Sequence, residues 1–298
     1  MTGCVKRTEV SKMNNELEKF KNIKTRKLGI WFLLSVAILI VIFVIASLSG
    51  IDIEDPTIAS FFASLWFYGT LLSWVFYEFK QNNLHLENII GKVHGKKDFF
   101  ALFLVFPLFI LSIGSFLLLF WGLSYLFPSY VQSVLNEPLF LTAEATKTPF
   151  IYNALEVFLG LIAAPIIEEI FFRGILLHRW SLKWGVKKAL IFSAIFFGIL
   201  HASVVGGFLF GLLMGVIYIK TKNLIIPIIF HMINNLFAYL PSLISLYQGN
   251  IKPGIYSLEA FKAEALIGLL FVALSAPVIF YYLYKNFPTN KTKLPLES

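Results

Sequence analysis

The chain has 298 residues, of which 58% are hydrophobic and only 14% are charged, whereas soluble domains carry about 25% charged residues. So few polar side chains cannot cover a soluble enzyme of this size, and the single cysteine, Cys4, excludes a disulfide scaffold. The formal net charge of +8 would suit a nucleic-acid binder only if the basic residues were grouped for that purpose. The composition predicts an integral membrane protein.

Apolar stretches long enough to cross a bilayer, roughly 20 residues each, recur along the chain. The fifth and sixth are short and are joined by an uncharged tight turn at residues 203–206. The predicted fold is therefore all-α, a polytopic membrane protein with about eight transmembrane helices. These spans are predicted at residues 28–48, 56–77, 99–126, 150–177, 189–202, 207–219, 224–240 and 265–284.

The basic residues lie in alternate segments between these spans. Of the 25 Lys and Arg residues, 21 fall in the two tails and in segments 78–98, 178–188 and 220–223, and three fall in the other segments. Under the positive-inside rule, this asymmetry predicts that both termini are cytoplasmic. The positive charge then sets orientation and favours anionic lipid, and no nucleic-acid partner is expected. The outer segments 127–149 and 241–262 are expected to be surface loops.

Six of the ionisable or amide side chains in spans four to seven are candidates for one polar site. Each ionisable group at bilayer depth costs about 2.5–3.5 kcal/mol, so a cluster of them requires a reason. At about 1.5 Å per helical residue, four of them lie roughly 14–20 Å from the charged ends of their helices, namely Glu168, His201, His231 and Asn235. Separate helices therefore deliver polar groups to one level, which predicts a functional site. The six residues are Glu168, Glu169, Arg173, His201, His231 and Asn235.

The spacing of the two carboxylates predicts different environments for them. Glu169 and Arg173 are four residues apart, which suits an ion pair on one helical face. Glu168 is turned about 100° away and is free to face another helix. Pro165 removes a backbone hydrogen bond just before both carboxylates and is expected to kink or loosen the helix there. Such a helix fits a water-accessible cavity better than a lipid-facing surface.

The two histidines carry a similar positional signal. His231 and Asn235 are four residues apart, so both point from one helical face, and Phe197 lies one turn below His201. A lone histidine or asparagine within a membrane span usually forms a hydrogen bond that stabilises the packing of two helices. Glu156 and His178 are expected to be interfacial, and His85, Glu87 and His94 to be solvated.

Three motifs in this region resemble those of the CPBP intramembrane protease family, which includes type II CAAX prenyl endopeptidases and bacterial abortive-infection or bacteriocin-immunity proteins. They are EExxxR at residues 168–173, FxxxH at 197–201 and HxxxN at 231–235. The resemblance implies peptide-bond hydrolysis, with Glu168 as general base and His201 holding the water. It also implies that His231 and Asn235 donate to the oxyanion, with Glu169, Arg173 and Phe197 in supporting roles.

The resemblance leaves the metal question open. A zinc ion, if present, would be held by Glu168, His201 and His231, since two histidines and a carboxylate leave one position for water. The HExxH arrangement of soluble zinc proteases is absent from the sequence. A metal-free, glutamate-type hydrolase is slightly favoured.

The chain is thus divided into four parts. These are a cytoplasmic tail at 1–27, three anchoring spans with their loops at 28–149, a catalytic helical core at 150–240, and an outer loop, last span and cytoplasmic tail at 241–298. The expected location is a bacterial plasma membrane, with the active site reached from the cytoplasmic side. The expected partners are the lipid bilayer and a peptide or membrane-protein substrate. Alternatives are a non-catalytic immunity or scaffold protein and, less favoured, a transporter with an intramembrane relay.

Overall fold

The computed structural model describes residues 17–93, 95–249, 257–289 and 291–294, so Cys4 and His94 lie outside the described residues. Within those ranges the chain is helical and contains no strand. The helices are, in chain order, α1 (Arg26–Leu48), α2 (Pro56–Gln81), α3 (Leu86–Ile90), α4 (Lys96–Leu126, with a 3-10 start at Lys96–Leu104), α5 (Pro128–Asn136), α6 (Pro149–Trp184), α7 (Val186–Ile199), α8 (Val204–Thr221), α9 (Ile225–Tyr247), α10 (Leu258–Glu264) and α11 (Ile267–Asn286).

Seven of these helices are long and apolar enough to cross a membrane: α1, α2, α4, α6, α8, α9 and α11. The prediction of an all-α, multi-pass membrane protein is therefore confirmed. The fifth predicted span corresponds to α7, which has 14 residues. At about 1.5 Å per residue it is roughly 21 Å long, short of a hydrocarbon layer about 30 Å thick. It is too short to cross by itself.

Small residues hold α7 closely against α8. A Cβ atom on Gly207 would lie 3.0 Å from the Cα of Gly198, and one on Gly211 would lie 3.0 Å from the Cα of Ala194. Glycines at this spacing let two helix backbones approach, and van der Waals packing then stabilises the pair in lipid. The α7–α8 contact fixes the connecting turn, which carries His201.

The prediction that both outer segments are surface loops is wrong over part of their length. Residues 128–136 form α5, where Pro128 occupies the first turn and Val131 is buried against Phe120 and Phe261. A proline in a first turn costs no hydrogen bond, because that N–H has no partner within the helix. Helix α9 also continues through Pro241 to Tyr247. In the first of these segments, apolar packing outweighs the turn-forming residues.

Candidate active site

Glu168 faces a cavity of about 520 Å³ where α1, α2, α6 and the α7–α8 turn meet. The hydroxyl of Tyr68 on α2 donates to Oε1 of Glu168 across 3.4 Å. Nε2 of His201 lies 4.0 Å from the other carboxylate oxygen, Oε2. That Oε2 is buried and accepts no hydrogen bond from the described part of the chain. One oxygen of the carboxylate is therefore held and the other faces the histidine.

The cavity wall is largely aromatic and aliphatic. Helices α1 and α2 contribute Phe32 and Trp66 among others, and α6 contributes Phe171. Trp66 directs its indole N–H to Ser35, across 2.8 Å. An apolar cavity with a few convergent polar groups suits a ligand with an apolar side chain or tail next to its reacting group.

His201 lies on the turn between α7 and α8, two residues after α7 ends, and its side chain is 37% exposed. The expectation that it lies within a continuous span is therefore wrong, because the α7 helix ends at Ile199. The Phe197 ring stacks on the imidazole at 4.3 Å, and the Phe197 carbonyl lies 2.7 Å from Nδ1. A carbonyl only accepts, so Nδ1 carries the proton and Nε2 of the neutral ring is an acceptor.

Glu169 occupies a separate and fully buried network behind Glu168. Arg173 donates to its Oε1 across 2.7 Å, and the two side chains are 3% and 0% exposed, so the predicted ion pair is present. Arg173 also donates to the Gly211 carbonyl across 3.1 Å. Its guanidinium lies 4.8 Å from the centre of the Phe197 ring. Three helices are thus held together by one buried cation.

His231 belongs to this second network. Its Nδ1 lies 3.1 Å from Oε1 of Glu169, and its side chain is 4% exposed. Because the ionised carboxylate is an acceptor, Nδ1 carries the proton, and Nε2 can donate only when the ring is an imidazolium. The structure therefore pairs His231 with Glu169, and it pairs His201 with Glu168.

Asn235 contacts the loosened part of α6. Residues 159–163 form a π-helical turn in which the Ala164 N–H donates to the Leu159 carbonyl. In the same register the Gly160 carbonyl would need the N–H of Pro165, which proline lacks. Asn235 Nδ2 donates to that carbonyl instead, across 2.8 Å. The predicted loosening beside Pro165 is present, and Asn235 compensates for it.

The predicted zinc ligands do not form one set in this arrangement. Within the described ranges, no group of three or more His, Cys, Asp or Glu side chains is placed to hold a metal ion. Glu168 and His201 face each other, but Glu169 engages His231. The residues present do not fit a three-ligand zinc site.

Two other contacts extend the sequence analysis. His178 is 0% exposed, because its ring packs against Phe20 and Tyr218, and its Nδ1 lies within hydrogen-bond distance of the carbonyls of Arg173 and Gly174 on its own helix. The sequence does not predict a role for Tyr68, since the first three spans carry almost no ionisable residues and are typical of membrane anchors. Its position far from either end of α2 is a signal that could have identified it, because membrane tyrosines concentrate at the interfaces.

Residues 150–237 match the family model described as Type II CAAX prenyl endopeptidase Rce1-like. The match spans α6 to α9 and includes Glu168, His201, His231 and Asn235. It confirms the resemblance indicated by the three motifs and supports CAAX-type intramembrane protease activity in general. A search of curated proteins and a search of solved structures each gave no match.

Proposed function

We propose that this multi-pass membrane protein is an intramembrane endopeptidase that hydrolyses a peptide bond of a membrane-associated or secreted peptide or protein. The observation that carries the proposal is the Glu168–His201 pair facing an apolar cavity, with Oε2 of Glu168 and Nε2 of His201 separated by 4.0 Å. Both atoms are acceptors, so they suit a molecule that offers two protons.

Water is such a molecule. A water oxygen about 2.8 Å from each atom spans a gap of this size, and its two O–H groups then donate to Oε2 of Glu168 and Nε2 of His201. Its lone pair is left to attack a carbonyl carbon from the cavity. Glu168 takes one proton as general base while the oxygen bonds to the carbon.

The resulting tetrahedral intermediate carries a negative oxygen, which needs hydrogen-bond donors. We propose that His231, as an imidazolium, and the second N–H of the Asn235 amide supply them. Glu168 then passes its proton to the amine nitrogen as the C–N bond breaks. The products are a carboxylic acid, which keeps the second proton of the water, and an amine; that proton then passes to the amine to give a carboxylate and an ammonium group. Glu168 has returned to its starting state.

Glu169 and Arg173 serve a structural role in this proposal. Their pairing keeps a buried charge neutralised, and it holds α6 against α8 and, through His231, against α9. Phe197 supports both networks, because its ring lies between His201 and Arg173. The two adjacent glutamates are therefore assigned different functions.

We also propose a metal-free mechanism, supported by the placement of the His, Cys, Asp and Glu side chains, no three of which are grouped to hold a metal ion within the described ranges. The test is metal analysis of the purified protein together with activity after chelation. Substoichiometric zinc and unchanged activity are expected. Stoichiometric zinc that restores activity to chelated protein would contradict the metal-free mechanism.

The proposed setting is a bacterial plasma membrane with the basic segments in the cytoplasm and the site reached from that side. It is supported by the 21 basic residues in one set of alternate segments. The apolar cavity wall favours substrates that carry an apolar segment beside the cleaved bond.

The function is tested in cells that express the wild-type chain or its Glu168→Gln variant at equal levels. Released and membrane-associated peptides are compared by mass spectrometry. A product that disappears in the variant supports hydrolysis and identifies the substrate. Identical peptides from two folded proteins would contradict the proposal and favour the immunity or scaffold alternative.

A further inference from the structure

We propose that Tyr68 on α2 is a positioning residue of the hydrolytic site, whose hydroxyl holds Oε1 of Glu168 so that Oε2 takes the proton from water. The inference rests on the proposed role of Glu168 as general base. Tyr68 lies outside residues 150–237, the segment that matches the family model. The inference therefore adds a further membrane span to the site.

The position of Tyr68 within its span favours a hydrogen-bond partner for its hydroxyl. It lies near the middle of α2, far from both Pro56 and Gln81 at the helix ends. Tyr68 is half-buried and lines the apolar cavity beside Glu168, and a tyrosine hydroxyl in apolar surroundings is stabilised by a hydrogen bond. In the structure Oε1 of Glu168 accepts from it across 3.4 Å.

The neighbouring aromatic residues explain why the ring is held there. The Phe67 ring packs edge-on against Tyr68 at 5.1 Å, and Trp66 donates to Ser35 on α1. The indole N–H of Trp66 and the hydroxyl of Tyr68 thus have separate partners. The phenol is consequently supported by α2 itself and can restrain a side chain on α6.

The restraint matters because a carboxylate has two equivalent oxygens. The terminal torsion of a glutamate is broad and roughly two-fold, so an unrestrained Glu168 would present either oxygen, over a range of angles, to the water. A hydrogen bond to Oε1 fixes the rotation and leaves Oε2 facing His201. Such bonds are often long without substrate and tighten in the reactive complex.

Tyr68 keeps its proton throughout the reaction. The water proton moves to Oε2 of Glu168 as the new C–O bond forms, and it leaves for the amine nitrogen as the C–N bond breaks. The Tyr68 hydroxyl donates to Oε1 in both states. It therefore changes the rate through Glu168 and does not itself contact the substrate bond.

The test uses Tyr68→Phe, which removes one oxygen atom and retains the ring that packs on Phe67. The control is Tyr77→Phe on the same helix, since the Tyr77 ring packs on Trp31 at 5.4 Å and does not line the cavity. The probe is a synthetic peptide containing the bond that wild type cleaves and Glu168→Gln does not. A misplaced base is expected to lower kcat about 10- to 100-fold with KM unchanged, and Tyr77→Phe is expected to behave as wild type.

A second readout needs no substrate. The carboxyl band of Glu168 in the infrared spectrum is identified by its loss in Glu168→Gln, and we expect it to shift in Tyr68→Phe but not in Tyr77→Phe. An unshifted band would overturn the contact, and a shifted band with unchanged kcat would overturn the positioning role. If wild type and Glu168→Gln yield the same peptides, it is the proposed function that fails, whatever the infrared result.

Discussion

Removing the charge of Arg173 tests the buried network most severely. Its side chain is 3% exposed and lies 2.7 Å from Oε1 of Glu169, which is 0% exposed. At an effective dielectric constant of about 20, two unit charges at that separation attract by about 6 kcal/mol, much of which offsets their desolvation. Breaking such a pair from one side typically costs about 3–5 kcal/mol, because the remaining charge stays buried. We expect that loss for Arg173→Met.

The assay is equilibrium unfolding of purified protein in mixed micelles, followed by tryptophan fluorescence. The exposed Lys187→Met is the control, and it should stay within about 0.5 kcal/mol of wild type. The double variant Glu169→Met, Arg173→Met should lose less than the sum of the two single variants, since replacing both charges leaves neither unpaired. A loss below about 1 kcal/mol for Arg173→Met, or additive losses in the double variant, would refute the reasoning.

Two further substitutions examine the support of the site. Phe197→Ala removes the ring stacked on His201 and should cost about 3–5 kcal/mol as well as activity, whereas Phe192→Ala, at 48% exposure, should cost far less; equal losses in unfolding free energy would contradict this packing. Gly160→Ala places a Cβ atom against the Tyr239 hydroxyl and should destabilise by about 1–3 kcal/mol. Gly122→Ala, which meets open space, should be neutral or stabilising in the same unfolding assay; a neutral Gly160→Ala would contradict the close contact at Tyr239.

The sequence predicted the helices and the faces that carry polar residues. Hydropathy located the membrane-spanning helices, and the four-residue spacing of Glu169 and Arg173 predicted their ion pair. Periodicity states which residues share a face, but it does not state which helix that face meets. The pairing of His231 with Glu169 rather than Glu168 therefore required the structure.

Tyr68 illustrates the same limit at longer range. It contacts a residue 100 positions away along the chain, and its own span carries no motif. The contact depends on how α2 packs against α6, which no local pattern encodes. Pro165 predicts that a carbonyl on α6 loses its backbone partner. That the Gly160 carbonyl accepts a hydrogen bond from the Asn235 amide depends on how α9 packs against the π-helical turn.

The most direct test of the account compares Glu168→Gln with Glu169→Gln, two identical changes at adjacent positions. Activity is measured on the synthetic peptide that contains the bond cleaved by wild type, and the free energy of unfolding is measured in micelles. Glu168→Gln should lower kcat by about 10²–10⁴-fold and leave stability within about 1 kcal/mol, because its Oε2 accepts no hydrogen bond from the described residues. Glu169→Gln should destabilise the protein by about 3–5 kcal/mol, because it leaves Arg173 buried without a counter-charge. The reverse result, an active Glu168→Gln or a stable but inactive Glu169→Gln, would contradict the assignment of Glu168 to catalysis and of Glu169 to structural support.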